Sequence, residues 1–240
     1  MQVNYSLSQS LIAVNSAATV DLLISFISSA SSKDSSRRPL NLSLILDRSG
    51  SMAGSALKYA KMAAQKLVEY LTPEDILSVV VYDDFVETIV APQPVKDQAA
   101  IKNQINRINA RGCTNLSGGW LTGCDHVKAN LSAERLNRVL LLTDGLANVG
   151  NSDPKILTKT ATEKAEQGII TTTLGFGTYF NEDLLINMAN GGKGNFYFIQ
   201  SPQDAAQVFE IEIESLVSDA VKEGTGGSYM ALGKVRRLVQ

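Results

Sequence analysis

The chain has 240 residues, 44% of them hydrophobic and 19% charged, with a net charge of −2. That length and composition suit one α/β domain with a small addition and a sizeable core, and they exclude a disordered or low-complexity chain. Arg37-Arg38 and Arg236-Arg237 are isolated basic pairs, and no Lys/Arg block favours nucleic acid or a membrane surface as a partner.

In chain order, Tyr5–Val14 and Thr19–Ile27 are two β-rich runs joined by Asn15-Ser16-Ala17, and Ser28–Arg38 is a Ser-rich loop. Leu42–Leu46 is apolar at nearly every position, the pattern of a central parallel strand covered on both faces. Leu57, Ala60, Ala64, Leu67, Val68 and Leu71 then recur at helical spacing. Thr72-Pro73-Glu74-Asp75 ends that helix and leads into a strand over Ile76–Tyr82. Asp83-Asp84 marks a turn, and Phe85–Val90 follows so closely that only an antiparallel hairpin fits. Helices are predicted over Gln98–Ile108 and Leu116–Ala129, and a second fully apolar strand over Val139–Thr143. Pro154 opens a helix that runs to Gln167 and is closed by Gly168. Ile169–Leu174 is the next strand, Asn181 caps a helix to Ala189, and Asn195–Ile199 is a short last strand. Ser201-Pro202 opens a closing helix with Phe209, Ile213, Leu216, Val217 and Ala220 on one face.

This alternation predicts a doubly wound, mostly parallel six-stranded sheet with one antiparallel edge strand, helices lying on both faces. Residues 40–222 form that domain, and residues 1–39 a hairpin annex. Residues 223–240 form a Gly-rich linker, Glu223-Gly224-Thr225-Gly226-Gly227, and a C-terminal strand within Tyr229–Val239 that joins the annex. The N-terminus lacks a basic segment followed by an apolar core, and no apolar run reaches membrane-spanning length, so a cytoplasmic protein without membrane insertion is expected. If a helix begins near Leu116, Cys113 and Cys124 stand roughly 12–16 Å apart, beyond the ~7 Å reach of a disulfide. Two free thiols fit a reducing compartment.

Three loops carry the chemistry. Asp47-Arg48-Ser49-Gly50-Ser51 follows the first apolar strand and places a carboxylate and two alternating hydroxyls on one short loop. Gly112-Cys113-Thr114-Asn115-Leu116-Ser117-Gly118-Gly119 offers Thr114, and Leu141-Leu142-Thr143-Asp144-Gly145 offers Asp144 at the end of the second apolar strand. Oxygen donors of this kind suit hard divalent cations such as Mg²⁺. The set Asp47, Ser49, Ser51, Thr114 and Asp144 resembles the metal-ion-dependent adhesion site of the von Willebrand factor A domain family, in its bacterial form.

The resemblance extends from Leu40 to Val221. It includes Phe176-Gly177-Thr178 leading to Asn181-Glu182-Asp183-Leu184-Leu185, and Gly191-Gly192-Lys193-Gly194-Asn195-Phe196-Tyr197 followed by Pro202. It implies one Mg²⁺ or Mn²⁺ held directly by Ser49 and Ser51, by Thr114 directly or through water, and by Asp47 and Asp144 directly or through water. An open coordination position would then receive an Asp or Glu of a partner protein, with no catalysis. Met52, Gly54, Asn115, Gly145 and Asn148, flanking the ligand positions, are the candidate partner-binding residues.

Other readings are weaker. Asp followed by Ser-x-Ser is also a helix cap and Asp-Gly an ordinary turn, but neither explains oxygen donors on three loops at one sheet edge. A strand-end aspartate can accept a phosphoryl group, yet the phosphatase pattern needs a second acid where Ser49 stands, and response-regulator receivers need a paired acid cluster absent here. His126, the only histidine, falls on a predicted helix, which argues against Ser-His-Asp or Cys-His catalysis. Gly175-Phe176-Gly177 lacks the third glycine of a dinucleotide loop, and Gly192-Lys193 is followed by glycine, which breaks the phosphate-loop pattern. Trp120 reads as core. An accessory subunit of an AAA+ ATPase would use the same metal site and stands as an alternative.

Overall fold

The computed structural model describes residues 2–7, 22–27, 38–144, 148–176, 181–199, 201, 204, 207–208 and 211–212. β1 (Gln2–Leu7) and β2 (Leu22–Ile27) pair antiparallel, Gln2 opposite Ile27 and Leu7 opposite Leu22, in a two-stranded sheet separate from the main one. Both lie within the runs predicted as a hairpin or just before them, while residues 8–21 and the expected strand within Tyr229–Val239 lie outside the described residues. The chain divides into two compact units, and the larger, Arg38–Leu216, holds the main sheet.

That sheet is built from β3 (Leu40–Asp47), β4 (Ile76–Tyr82), β5 (Val86–Pro94), β6 (Leu136–Thr143), β7 (Ile170–Phe176) and β8 (Lys193–Ile199), in the order β5-β4-β3-β6-β7-β8. The β4–β5 pair is antiparallel and the others are parallel. The connections are α1 (Ser55–Tyr70), α2 (Gln98–Asn106), α3 (Leu116–Ala129), α4 (Pro154–Glu166) and α5 (Glu182–Gly191). Every residue of β3 is buried, because helices cover a central parallel strand on both faces. Residues from α3, α4 and α5 pack over Ile45, Val80, Tyr82, Val139 and Leu141, with Trp120 in the same cluster. Trp120 satisfies its indole N–H on Thr171 Oγ1 at 3.2 Å, so it is a core residue, as expected.

Side-chain caps start four of the five helices, α1 being preceded by Gly54 instead, and Asn181 is the cap expected from the sequence. Asp97, Asn115, Asp153 and Asn181 accept from Ala100, Gly118, Lys155 and Leu184 N–H, respectively. α3 lies close to the sheet because it presents glycine there. A Cβ on Gly119 would meet the Tyr82 ring at 2.4 Å, and one on Gly123 would meet Ile45 Cδ1 at 2.3 Å.

β5 runs four residues beyond its predicted end, through Pro92 to Pro94 opposite Ile76. Prolines halt a strand reading, but an edge strand tolerates them where the missing N–H would face solvent. Beyond β8, residues 204, 207–208 and 211–212 are helical. There the buried Glu212 accepts hydrogen bonds from Thr172 Oγ1 (2.8 Å), Asn195 Nδ2 (2.9 Å) and the Tyr197 hydroxyl (2.8 Å), fastening this segment to β7 and β8.

The strand order reverses between β3 and β6, which are neighbours and parallel. At such a switch point the loops leaving two adjacent strands diverge to opposite faces and open a crevice at the carboxyl edge. The residues after Asp47 and after Thr143 stand at that edge.

Candidate metal centre

Register determines what surrounds Asp47. It ends β3 opposite Tyr82, and Leu46 is opposite Leu142, so Thr143 is the next residue along β6. The Asp47 carboxylate is fully buried and accepts from Ser49 N–H at 2.8 Å, Thr143 Oγ1 at 2.7 Å and the Tyr82 hydroxyl at 3.2 Å. Burial pushes its pKa up to about 6 in the metal-free protein; the bonds from Ser49 and Thr143 oppose the rise and the charge of Asp144 adds to it. The Tyr82 phenol is also pushed well up, by burial and then by Asp47.

Ser49 and Ser51 place their hydroxyl oxygens 3.1 Å apart, Ser49 buried and Ser51 exposed, because the chain turns through a short 3₁₀ segment, Gly50–Met52, closed by Met52 N–H on Ser49 O at 3.0 Å. Met52 itself is 0% exposed. Its predicted role as a partner contact is therefore corrected: it packs inward beneath the turn, where an apolar side chain gains most by leaving water. Gly54 is exposed at φ +85°, a left-handed conformation that glycine supplies without strain just before α1.

Thr114 is buried, and its backbone is clamped from the β6–α4 connection. Its N–H donates to Asn148 Oδ1 at 2.8 Å, and its carbonyl accepts from Asn148 and Val149 N–H at 3.2 and 3.1 Å. Asn148 is exposed, with its side-chain oxygen used in this clamp. Asn115 spends its side-chain oxygen capping α3. Asp144 is buried next after β6, near enough for its charge to act on both Asp47 and Tyr82. Gly145 lies outside the described residues.

The loops are also tied to one another. Gly50 N–H donates to Gly112 O at 3.0 Å, Arg111 N–H to Arg48 O at 2.8 Å, and Asn115 N–H to Asp83 O at 2.9 Å. Asp83 joins three loops. One carboxylate oxygen takes Arg48 Nε and Arg111 Nε, each at 2.7 Å, and the other takes Phe85 N–H at 2.8 Å. Burial alone would raise the Asp83 pKa, but the bonds from Arg111, Phe85 N–H and Arg48 outweigh it and hold the carboxyl below its ordinary value. Gly112 has φ +67°, and a Cβ there would stand 2.2 Å from Asp84 Oδ2, so this tight approach needs glycine.

Tyr82, Thr143 and Asp83 were not picked out as site residues from the sequence. The only signal was Asp83-Asp84, read as a turn. Among the described residues no group of three His, Cys, Asp or Glu side chains is placed to hold a metal. The side chains these loops carry at the edge are hydroxyls and two carboxylates, oxygen chemistry that suits a hard cation better than a soft thiolate or imidazole site. His126 stands ten residues along α3 from Leu116, about 15 Å by helical rise. Its Nε2 lies 3.4 Å from Thr88 Oγ1, and burial lowers its pKa. Cys113 is exposed and Cys124 buried, both free thiols.

Residues 41–211, well over half of the chain, match the model of the von Willebrand factor type A domain. The chain belongs to the von Willebrand factor type A family. Among relatives of this A domain, the uncharacterized protein sll0103 of Synechocystis sp. (strain ATCC 27184 / PCC 6803 / Kazusa) is 35% identical over 181 residues, covering 75% of this chain and 42% of its own. The inter-alpha-trypsin inhibitor heavy chain H3 of Homo sapiens is 30% identical over 176 residues, covering 70% of this chain and 20% of its own. The chain thus spans less than half the length of these curated relatives.

Solved structures share the fold. A von Willebrand factor type A protein from Catenulispora acidiphila superposes with a TM-score of 0.62 at 19% identity, over 89% of this chain and 50% of that one. Proximal thread matrix protein 1 of the mussel byssus, in a structure with a zinc-occupied MIDAS motif, gives 0.60 at 21% identity over 75% and 46%. Among the described residues of this A domain, no helix is long and apolar enough to cross a membrane.

Proposed function

We propose that this A domain is a divalent-cation-dependent protein-interaction module. Ser49, Ser51 and Thr114 would hold one Mg²⁺ or Mn²⁺, assisted directly or through water by Asp47 and Asp144. The bound cation would supply an electrophilic position for the carboxylate of an Asp or Glu on a partner protein. Gly54, Asn115, Gly145 and Asn148 flank that position and shape the contact. The observation that carries this reading is the linkage of the Asp47–Ser51, Thr114 and post-β6 loops by hydrogen bonds at the switch point of the sheet. The zinc-occupied motif of the mussel relative in fold supports it. Residues 40–222 are the working domain, with residues 1–39 and 223–240 forming a separate annex.

The module has no turnover of its own. The one histidine stands ten residues along α3 from Leu116 and contacts Thr88 of β5, and Asp47 is enclosed by donors that fix it. An accessory role beside an AAA+ ATPase would be one instance of this binding activity. Free thiols at Cys113 and Cys124 suit a cytoplasmic, reducing setting.

The test is calorimetric titration of Mn²⁺ into wild type and Asp47→Ala, together with partner capture in Mg²⁺, in EDTA and after Mg²⁺ is restored. Wild type should bind one ion and Asp47→Ala none, with near-unchanged circular dichroism. Partner capture should vanish in EDTA, return with Mg²⁺, and fail in a folded Thr114→Ala. Equal Mn²⁺ affinity in Asp47→Ala sinks the assignment, and metal-dependent phosphoester hydrolysis lost in that variant would favour an enzyme instead.

A further inference from the structure

The geometry points to Asp83 as a positioning residue that sets the placement of the Ser49–Ser51 loop relative to Thr114; this rests on the metal-binding reading above. Arg48 lies between Asp47 and Ser49, and Arg111 lies three residues before Thr114. Both guanidinium groups bring their Nε to the same oxygen of Asp83, whose side chain is 1% exposed. Two cations drawn to one oxygen repel each other once the anion between them is gone. Glu87 contacts Arg48 Nη2 at 3.0 Å, but it is 54% exposed and screened by water.

The main chain repeats the connection, since Arg48 N–H donates to Tyr82 O, Arg111 N–H to Arg48 O, and Asn115 N–H to Asp83 O. Asp83 therefore holds the immediate neighbours of Ser49 and Thr114 from one point. An aspartate needed only to shape the β4–β5 turn would use its bond to Phe85 N–H alone. The two arginines exceed that need.

Asparagine at position 83 separates the two roles. Its carbonyl can keep the Phe85 bond, while its amide would point an N–H at two guanidinium donors. Mn²⁺ alone is titrated into the full chain as wild type, Asp83→Asn, Arg111→Gln and Ile101→Val, with melting in EDTA recorded alongside. Asp83→Asn should weaken Mn²⁺ binding roughly tenfold, the low end of what loss of an outer-shell partner costs. Arg111→Gln, at a side chain 58% exposed, should weaken it by a smaller factor with unchanged circular dichroism, and it carries the test if Asp83→Asn does not fold. Ile101→Val, buried in α2, should lower the melting temperature and leave Mn²⁺ affinity alone. Wild-type affinity in Asp83→Asn and Arg111→Gln overturns the role given to Asp83. A wild-type chain that binds no Mn²⁺ overturns the metal reading itself.

Discussion

A carboxylate with no solvent exposure and only neutral donors around it is pulled between two protonation states, and Asp47 is in that position. Its pKa is about 6 in the metal-free fold, above the ~3.9 of a free aspartate. The folded chain therefore favours the protonated form. The stability this gives is complete below about pH 4 and is lost as pH rises through 6, a change on the order of 3 kcal/mol. Asp47→Asn should accordingly melt above wild type in EDTA at pH 8, with the advantage shrinking as pH falls through 6 and gone below about pH 4. Addition of Mn²⁺ at pH 8 should raise wild type and leave the asparagine variant unmoved. Identical melting of the two chains at pH 8 in EDTA would refute this. That Asp47, Ser49, Ser51, Thr114 and Asp144 lie on loops at the carboxyl edge was legible because each sits in a short motif at a strand or helix end. Tyr82 and Thr143 were not, because their approach to Asp47 comes from strand register, which no local pattern encodes. Met52 misled because an apolar residue inside a ligand loop looks free to meet a partner, while the turn at Gly50–Met52 rotates it inward.

α3 is where an element's intrinsic preference and its packing disagree. Alanine is favoured over glycine in a helix interior by about 1 kcal/mol. Gly119 and Gly123 nonetheless face Tyr82 and Ile45 at distances that exclude a methyl group. Gly119→Ala should destabilise by about 1–3 kcal/mol, the usual cost of overpacking, despite the better helix former. Gly123→Ala should cost less, because the atom it meets is the far end of the Ile45 side chain, whereas the Tyr82 ring is also tied to Asp47. Urea midpoints decide this, and a stabilised Gly119→Ala would show that the helix can lift away freely. The start of α5 was legible because Asn181 is a good cap, and it caps as expected; Asp97, Asn115 and Asp153 cap α2, α3 and α4 in the same way. The end of β5 was not, since its prolines are acceptable only once the strand is known to lie at an edge.

Across the whole sheet, strand–helix alternation was sufficient to anticipate a doubly wound order with one antiparallel edge, because crossovers between parallel strands have one preferred hand. The attachment of the segment after β8 was not legible, since nothing in the sequence marks Glu212 as buried. Removing its carboxylate leaves Thr172, Asn195 and Tyr197 without their acceptor. Glu212→Ala should therefore cost about 3 kcal/mol in urea unfolding. Its Mn²⁺ affinity should not change, because Thr172 sits three residues before Gly175, the partner of Thr143, and so about 10 Å below the carboxyl edge. A Glu212→Ala chain that loses Mn²⁺ binding while still folded would mean the two ends of the sheet are coupled.

Pro92 and Pro94 have a consequence for self-association. They stand two residues apart on the outermost strand, hence on the same side of it, and neither can donate an amide hydrogen. A second chain adding along this half of β5 would meet gaps in the ladder it must complete. Together with the charge of Glu87 on the same strand, this blunts that edge of the sheet against edge-to-edge pairing.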